Sequence, residues 1–478
     1  MSVKIANTPV GRAKLEDLQG MLLSATTRLL LRRQLRAQLP AWAKLGPIRL
    51  QHAIFRPGRK LSAYYDARVH TDDAGAYLVR PIAVTWILDG ATDPQPDTPA
   101  LAQLQQEAVH RGVAAPFEQL RAELPDAHLR LQVWPLDTQF PQLVRLSDPR
   151  HVQEMLGGIG RAPESARADG YAVTSIRYLP GNRHVLRYDR AGGQGGGVFA
   201  KLYSGEEGAG AFRVAQQVAG WLHEQGGGVS SAVPLGYRGG DRVVLYPGVA
   251  GRPLSENLGR ANRELGEHLE RAGMALRAVH HLPKQATGSR GPQDFAAVIN
   301  KIARHSEHIC MLLPPAGAAL KGLLDRAQGL HERLPQEPPS FTHRDFKCTH
   351  VWITPGGITL IDFDSSRLAD PAQDIGNFLA DLKLRCASWN QSALTRMQER
   401  FLAGYAAGEP PERLIRARLY EAVELLKMTR HLRLFHADWA FRTRQLIRRA
   451  EAVLNDLEFT LGLPSGQASR RQLVAISG

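Results

Sequence analysis

Cysteine is scarce in this chain: Cys310, Cys348 and Cys386 are its only three, widely spaced and odd in number. That excludes a disulfide framework and a zinc-ligand spacing, and predicts a reducing, cytoplasmic setting. Long apolar runs are missing as well, so no membrane span is expected. The stretch MLLSATTRLLLRRQ (residues 21–34) is cut by Arg28 and lacks a small-residue cleavage site, so it does not read as a signal peptide. Acidic residues fall short of basic ones, 46 against 60, for a formal net charge of +14. That sign favours anionic partners. No basic-aromatic signature or zinc finger accompanies the charge, so nucleic acid is not an expected partner.

What is present is ordinary in amount, with 43% hydrophobic and 22% charged residues over a length that allows two to four domains. An internal similarity organises the first half. FRPGRKLSAYYD (Phe55 to Asp66) aligns without a gap on YLPGNRHVLRYD (Tyr178 to Asp189). Each reads as strand, Pro-Gly turn, strand, followed by a helical stretch and a strand ending in an aromatic-Pro step. The shared order of elements predicts a duplication. In the second copy VTSIRYLP, HVLRYDRA and VFAKLYS form a meander, with Gly192 to Gly197 as a flexible connection. A helix with Phe212, Ala215, Val218, Ala219 and Leu222 on one face follows. Residues 171–248, including the strands of VSSAVPLGYRGGDRVVLYPG, then read as one small sheet with one helix. Beyond AGRPLSENL the chain turns helical. The predicted domains are 1–150, 151–252 and 253–478, the first a degenerate copy of the second.

Two carboxylates carry the chemistry. Asp345 stands in THRDFKCTH, and Asp362 in LIDFD follows 362 − 345 = 17 residues later, after the hairpin HVWITPGGITLIDFD. That hairpin returns both acids to one edge. Upstream, Lys201 lies on the third strand of the small sheet. A strand lysine, a candidate base and a candidate metal carboxylate are the parts that phosphoryl transfer requires.

These residues identify a resemblance. YLPGNRHVLRYD, Lys201, GMALRAVHHLP, THRDFKCTH and LIDFDSSRLADPAQDIGNFLADL make the chain, from about Tyr171 to its last helices, similar to the aminoglycoside phosphotransferase and choline kinase family. The resemblance implies an α+β, bilobal protein-kinase-like fold, a small β-sheet lobe plus a mainly helical lobe, here with an extra N-terminal small-lobe-like domain. It implies an ATP-dependent kinase that phosphorylates a hydroxyl of a small molecule, a sugar-like or amino-alcohol metabolite. Asp345 and Lys347 are then the catalytic residues, and Lys201, Gly181, Asn182, Arg183 and Tyr246 bind the nucleotide. Asp362 holds Mg2+, and Asp374 buttresses the catalytic loop. The N-terminal copy lacks both acid motifs and reads as a cap or scaffold.

The sequence departs from the pattern twice. His350 stands where an Asn would hold a second magnesium, so one metal, or a manganese-tolerant site, is expected, with Thr349 and Asp364 as neighbouring oxygen donors. The helix after Lys201 offers Gln216 or Gln217 where a partner Glu is usual. Glu206 and Glu207 come early and Glu224 late, and the partner of the lysine stays open. A protein kinase is disfavoured, since 374 − 362 = 12 residues leave no room for an ordinary activation segment. From Asn390 onward, 14 basic residues against 9 acidic give 14 − 9 = +5. An acceptor that is neutral or anionic is expected over a polycationic one. The alternative is an inactive kinase fold that binds nucleotide or a protein partner.

Overall fold

A computed structural model of the chain describes residues 14–70, 77–87, 98–158, 170–190, 192, 196–259, 261–286 and 291–463. Of the glycine-rich connection, residues 193–195 lie outside the described residues. The chain divides into two compact units. The first comprises Met1–Ala209, Leu235–Gly248 and Arg433–Ala437, and the second Gly210–Pro234, Val249–Leu432 and Asp438–Gly478.

The first unit opens with α1 (Leu15–Leu23) and α2 (Ala25–Ala37), the latter containing most of the apolar stretch at 21–34. Then come β1 (Lys44–Arg56), β2 (Lys60–His70), β3 (Tyr77–Ile87), α3 (Thr98–His110), β4 (Arg121–Leu124) and β5 (Leu129–Val133). These strands pair in the order β1-β2-β3-β5-β4. Two short helices, α4 (Gln142–Leu146) and α5 (Pro149–Gly157), lead to β6 (Tyr171–Leu179), β7 (Arg183–Arg190) and β8 (Val198–Leu202). After α6 (Glu207–Gln225) and β9 (Val229–Ser231), which belong from Gly210 on to the second unit, come β10 (Gly236–Arg238) and β11 (Val243–Pro247). The second sheet runs β6-β7-β8-β11-β10.

The two sheets therefore share one connectivity: a three-stranded meander, a helix, and a hairpin whose last strand pairs with the third. The likeness reaches single residues. The turn after the first strand holds Gly58 at φ 67° in one sheet and Gly181 at φ 71° in the other. Each closing hairpin contains a 3-10 turn ended by a left-handed residue that is not glycine, His128 at φ 45° and Arg242 at φ 46°. Side chains alternate as period-two sequences dictate, with Leu61, Ala63, Tyr65, Ala67 and Val69 of β2 all buried. Ala83, Trp134 and Phe140 join Tyr178, Leu186, Tyr188 and Ala200 in one apolar core. One strand departs from the expected sheet. β9 follows three consecutive left-handed glycines, Gly226 to Gly228, which redirect the chain. Itself part of the second unit, it pairs in parallel with another strand of that unit.

That second unit contains β12 (Arg252–Pro253), α7 (Arg263–His280), α8 (Phe295–His305), α9 (Glu307–Leu312), α10 (Pro314–Arg333) and β13 (Ser340–Thr342). It continues with β14 (Val351–Thr354), β15 (Gly357–Leu360), β16 (Arg367–Ala369), α11 (Ala372–Arg385), α12 (Gln391–Ala406), α13 (Pro411–Met428) and α14 (Trp439–Thr460). Its strands pair as β12-β14-β15-β9 and β13-β16. Among the described residues no helix is long and apolar enough to cross a membrane.

Glycine allows a close crossing of α7 and α12. A Cβ on Gly404 of α12 would collide with the Glu270 carbonyl of α7, and one on Gly273 with the Phe401 carbonyl. Overpacking of this kind costs about 1–3 kcal/mol. Gly404→Ala is therefore expected to lower the urea midpoint with an unchanged m-value. An unaltered midpoint would contradict so close a crossing.

Candidate active site

The loop between β13 and β14 carries His343, Arg344, Asp345, Lys347 and His350. Two carboxylates of α11 hold its backbone. Asp374 is 0% exposed and accepts the His343 N–H at 2.6 Å on Oδ2 and the Arg344 N–H at 2.7 Å on Oδ1. Asp381, seven residues on and so on the same helix face, accepts the Cys348 N–H at 2.9 Å. Burial pushes the Asp374 carboxyl up, but the hydrogen bond and charge of His280 and the charge of His343 outweigh it and hold it below the usual range. The support extends further. Arg413 donates to the Tyr405 oxygen at 2.8 Å, Tyr405 to His280 Nδ1 at 2.7 Å, and His280 Nε2 to Asp374 at 3.1 Å.

The β14–β15 hairpin, with Val351 opposite Leu360, brings the chain back beside this loop as the sequence predicts. His343, 0% exposed, donates from Nε2 to the Ile361 carbonyl at 3.0 Å and accepts the Asp345 N–H on Nδ1 at 3.4 Å. One imidazole thus ties the Asp345 loop to the residue before Asp362. Both Arg344 and Asp362 sit at φ 68°, a left-handed conformation that costs a residue other than glycine about 1–3 kcal/mol. The hydrogen bonds around them hold that strain in place.

Ligand atoms of Asp345, His350 and Asp362 all lie within 4.8 Å of one another. His350 Nδ1 is 2.9 Å from the Asp345 carbonyl oxygen, which can only accept, so the proton resides on Nδ1. The Nε2 lone pair is left 3.7 Å from Asp362 Oδ2. Burial, and then the Lys347 charge, push His350 down to about 4 against the pull of Asp345 and Asp362. At neutral pH it is an uncharged nitrogen donor between two carboxylates, a set that suits a divalent cation. Lys347 Nζ lies 2.7 Å from Asp345 Oδ2. Burial raises the Asp345 carboxyl, but His350 and Lys347 pull it down further, below its ordinary value.

In the first unit Lys201 sits on β8 between Val185 and Val244, its Nζ 5.9 Å from the Tyr246 ring centroid. Gly181, Asn182 and Arg183 form or flank the turn into β7, two residues before Val185, so turn and lysine share one end of the sheet. The buried Asp137 carboxylate fixes that turn. Its Oδ2 accepts the Gly181 N–H and His184 Nε2–H, both at 2.7 Å, while Oδ1 accepts the Gln139 N–H at 2.9 Å.

The sequence reading assigned no role to Asp137, His280 or Asp381. The seven-residue spacing from Asp374 could have found Asp381, and His280 continues the buried α7 face of Gly273 and Leu276. Asp137 gave no signal, because the turn it holds lies 44 residues away.

A model of the APH phosphotransferase enzyme family matches residues 175–449, more than half of the chain. No curated protein matches. Solved structures are similar at low identity. A choline/ethanolamine kinase family protein from Mesorhizobium loti is 18% identical over 68% of this chain and 98% of its own, with a TM-score of 0.44. An amicoumacin kinase in complex with AMP-PNP, Ca2+ and Ami is 14% identical over 63% and 93%, TM-score 0.47. A thermostable mutant of an aminoglycoside phosphotransferase in its apo form is 16% identical over 60% and 95%, TM-score 0.44.

Removing the Asp137 carboxylate leaves three donors unmet, one of them the buried His184 Nε2–H, and an unmet buried donor costs about 1–3 kcal/mol. Asp137→Ala is expected to speed amide hydrogen exchange at Gly181 and Asn182 at least tenfold. Unchanged protection there would show that the turn holds itself.

Proposed function

The chain belongs to the phosphotransferase enzyme family, and we propose that it moves the γ-phosphoryl group of ATP to a hydroxyl of a small molecule. The observation that carries the reading is the cluster of Asp345, His350 and Asp362 within 4.8 Å, beside Lys347, on a loop pinned from beneath. Magnesium–ATP, when bound, supplies the phosphoryl group and a cation that neutralises charge on it. Asp362 and the neutral His350 would hold that cation. Asp345 orients the acceptor hydroxyl and takes its proton. A carboxylate held ionised by Lys347 is a weak base, which suits a transfer in which proton loss comes late and positioning dominates. Lys347 also presents positive charge to the transferring group.

In the first unit Lys201, Gly181, Asn182, Arg183 and Tyr246 are the residues we assign to the nucleotide. The first sheet has no counterpart of Asp345 or Asp362, and we read it as a duplicated small lobe acting as scaffold. Through Asp137, its C-terminal flank fixes the turn assigned to the phosphates.

Turnover of ATP with magnesium and with manganese, across a panel of hydroxyl acceptors, tests the reading. Asp362→Asn should abolish turnover with the fold intact, and near-native activity in it would sink the mechanism. Asp345→Asn should cost about 10²–10⁴-fold. His350→Asn should keep or raise magnesium activity, because an amide oxygen suits that ion better than imidazole. Should His350→Asn be as inactive as Asp345→Asn, His350 does more than bind metal. Wild-type protein that turns over no ATP with either metal would favour the inactive nucleotide-binding alternative.

A further inference from the structure

Several arginines of the first unit meet carboxylates. Arg111 lies 2.8 Å from Glu107, and Arg187 lies 2.8 Å from Asp189. Those of α2 do not. Between Asp17 and Asp66 the sequence has nine basic residues and no acidic one. Arg28, Arg32, Arg33 and Arg36 of α2 are all exposed, and none has a carboxylate partner among the described residues. Arg32 donates to the Gly46 and Leu45 carbonyls at 2.9 and 3.2 Å. Arg36 donates to the carbonyls of Pro40 at 3.2 Å, Ala41 at 3.1 Å, and Ala43. These acceptors are neutral, so the charges stay unmatched. Acids do flank the helix: Glu16 and Asp17 open α1, and the Glu118 N–H donates to the Gln38 carbonyl at 2.9 Å. None of the three pairs with an arginine of α2.

Helix geometry gathers these charges on one side. Thr27, Leu31 and Leu35 form the buried face of α2, and Arg28, Leu29, Arg32, Arg33 and Arg36 fall opposite it. Leu29, Arg33 and Arg36 follow one another at spacings of four and three, which lines them up along the helix. Leu29 is 68% exposed in the middle of this basic face. Beyond the helix end, the turn closed by the Ala43 N–H on the Pro40 carbonyl carries Trp42, 61% exposed. Arg36 bonds the carbonyls on both sides of Trp42 and so holds that turn against its own end of the helix.

One exposed leucine is ordinary on a protein surface. A leucine and a tryptophan set among unmatched guanidinium groups have a more specific use. At a membrane surface, apolar and indole side chains enter the boundary between headgroups and acyl chains, while arginines meet anionic headgroups. A nucleic acid would engage the arginines through its phosphates and leave Leu29 without a counterpart. Both halves of the face are matched only by an anionic lipid surface.

We propose that the exposed face of α2, with Trp42 at its end, docks the protein reversibly on an anionic membrane surface. Leu29 and Trp42 enter the interface, and Arg28, Arg32, Arg33 and Arg36 meet the lipid phosphates. Guanidinium groups suit this role because they bind phosphate oxygens in pairs. Two apolar side chains bury little area, so the attachment is peripheral and depends on charge. The docking uses no residue of the candidate active site and stands apart from the phosphotransferase reading.

The test sediments the full chain with vesicles of phosphatidylcholine alone and of phosphatidylcholine mixed with phosphatidylglycerol. Binding is expected to the anionic vesicles only, and it should be lost in about 1 M salt, where screening shortens to about 3 Å. Arg28→Gln combined with Arg33→Gln should weaken it about tenfold or more. Leu29→Ser combined with Trp42→Ser should do the same. These four side chains are exposed and make no hydrogen bond among the described residues, so the melting temperature should not change in either variant. Tryptophan emission should shift to the blue on anionic vesicles, and by less in Trp42→Phe. No binding to anionic vesicles, equal binding to neutral ones, or binding indifferent to either pair of substitutions would overturn the proposal. So would tighter binding of a nucleic-acid duplex through the same arginines, or a dimer that the Leu29 and Trp42 substitutions take apart.

Discussion

The second unit depends on one buried carboxylate. Asp374 accepts two successive backbone N–H groups, from His343 and Arg344, and so fixes the path of the loop that carries Asp345, Lys347 and His350. A hydrogen bond to a charged group contributes about 1.5–3 kcal/mol, enough to hold Arg344 in a left-handed conformation that a free loop would leave. The helices serve this contact. Gly376 lets α11 approach α13 so closely that a Cβ would stand 2.6 Å from the Glu421 nitrogen. The glycine crossing of α7 and α12 places His280 and Tyr405 behind the carboxylate.

From that anchor the electrostatics follow in order. His343 ties the loop to Ile361, the residue before Asp362, and so fixes the spacing of the two acids. His350 is kept neutral by burial and Lys347, which leaves its Nε2 lone pair for coordination. Asp345 then stands beside the Lys347 ammonium, 2.7 Å from its Oδ2.

The hairpin that returns Asp362 near Asp345, the place of Lys201 on a third strand and the repeated order of strands were legible in the sequence, because each rests on local pattern: a spacing, a turn dipeptide, a period of two. The likeness between the sheets extends even to His128 and Arg242, whose left-handed backbones no motif announced. What the reading missed depends on long-range packing. Asp137 meets a turn 44 residues away, and β9 leaves its expected sheet because three left-handed glycines turn it toward β15.

The central claim is that a neutral imidazole stands where an amide oxygen would hold the metal. Pulsed electron paramagnetic resonance of Mn2+ bound with ADP reads this directly. The account predicts nitrogen-14 modulation from one directly bound imidazole in wild-type protein, absent in His350→Asn. Manganese bound with oxygen ligands alone in wild-type protein would contradict it.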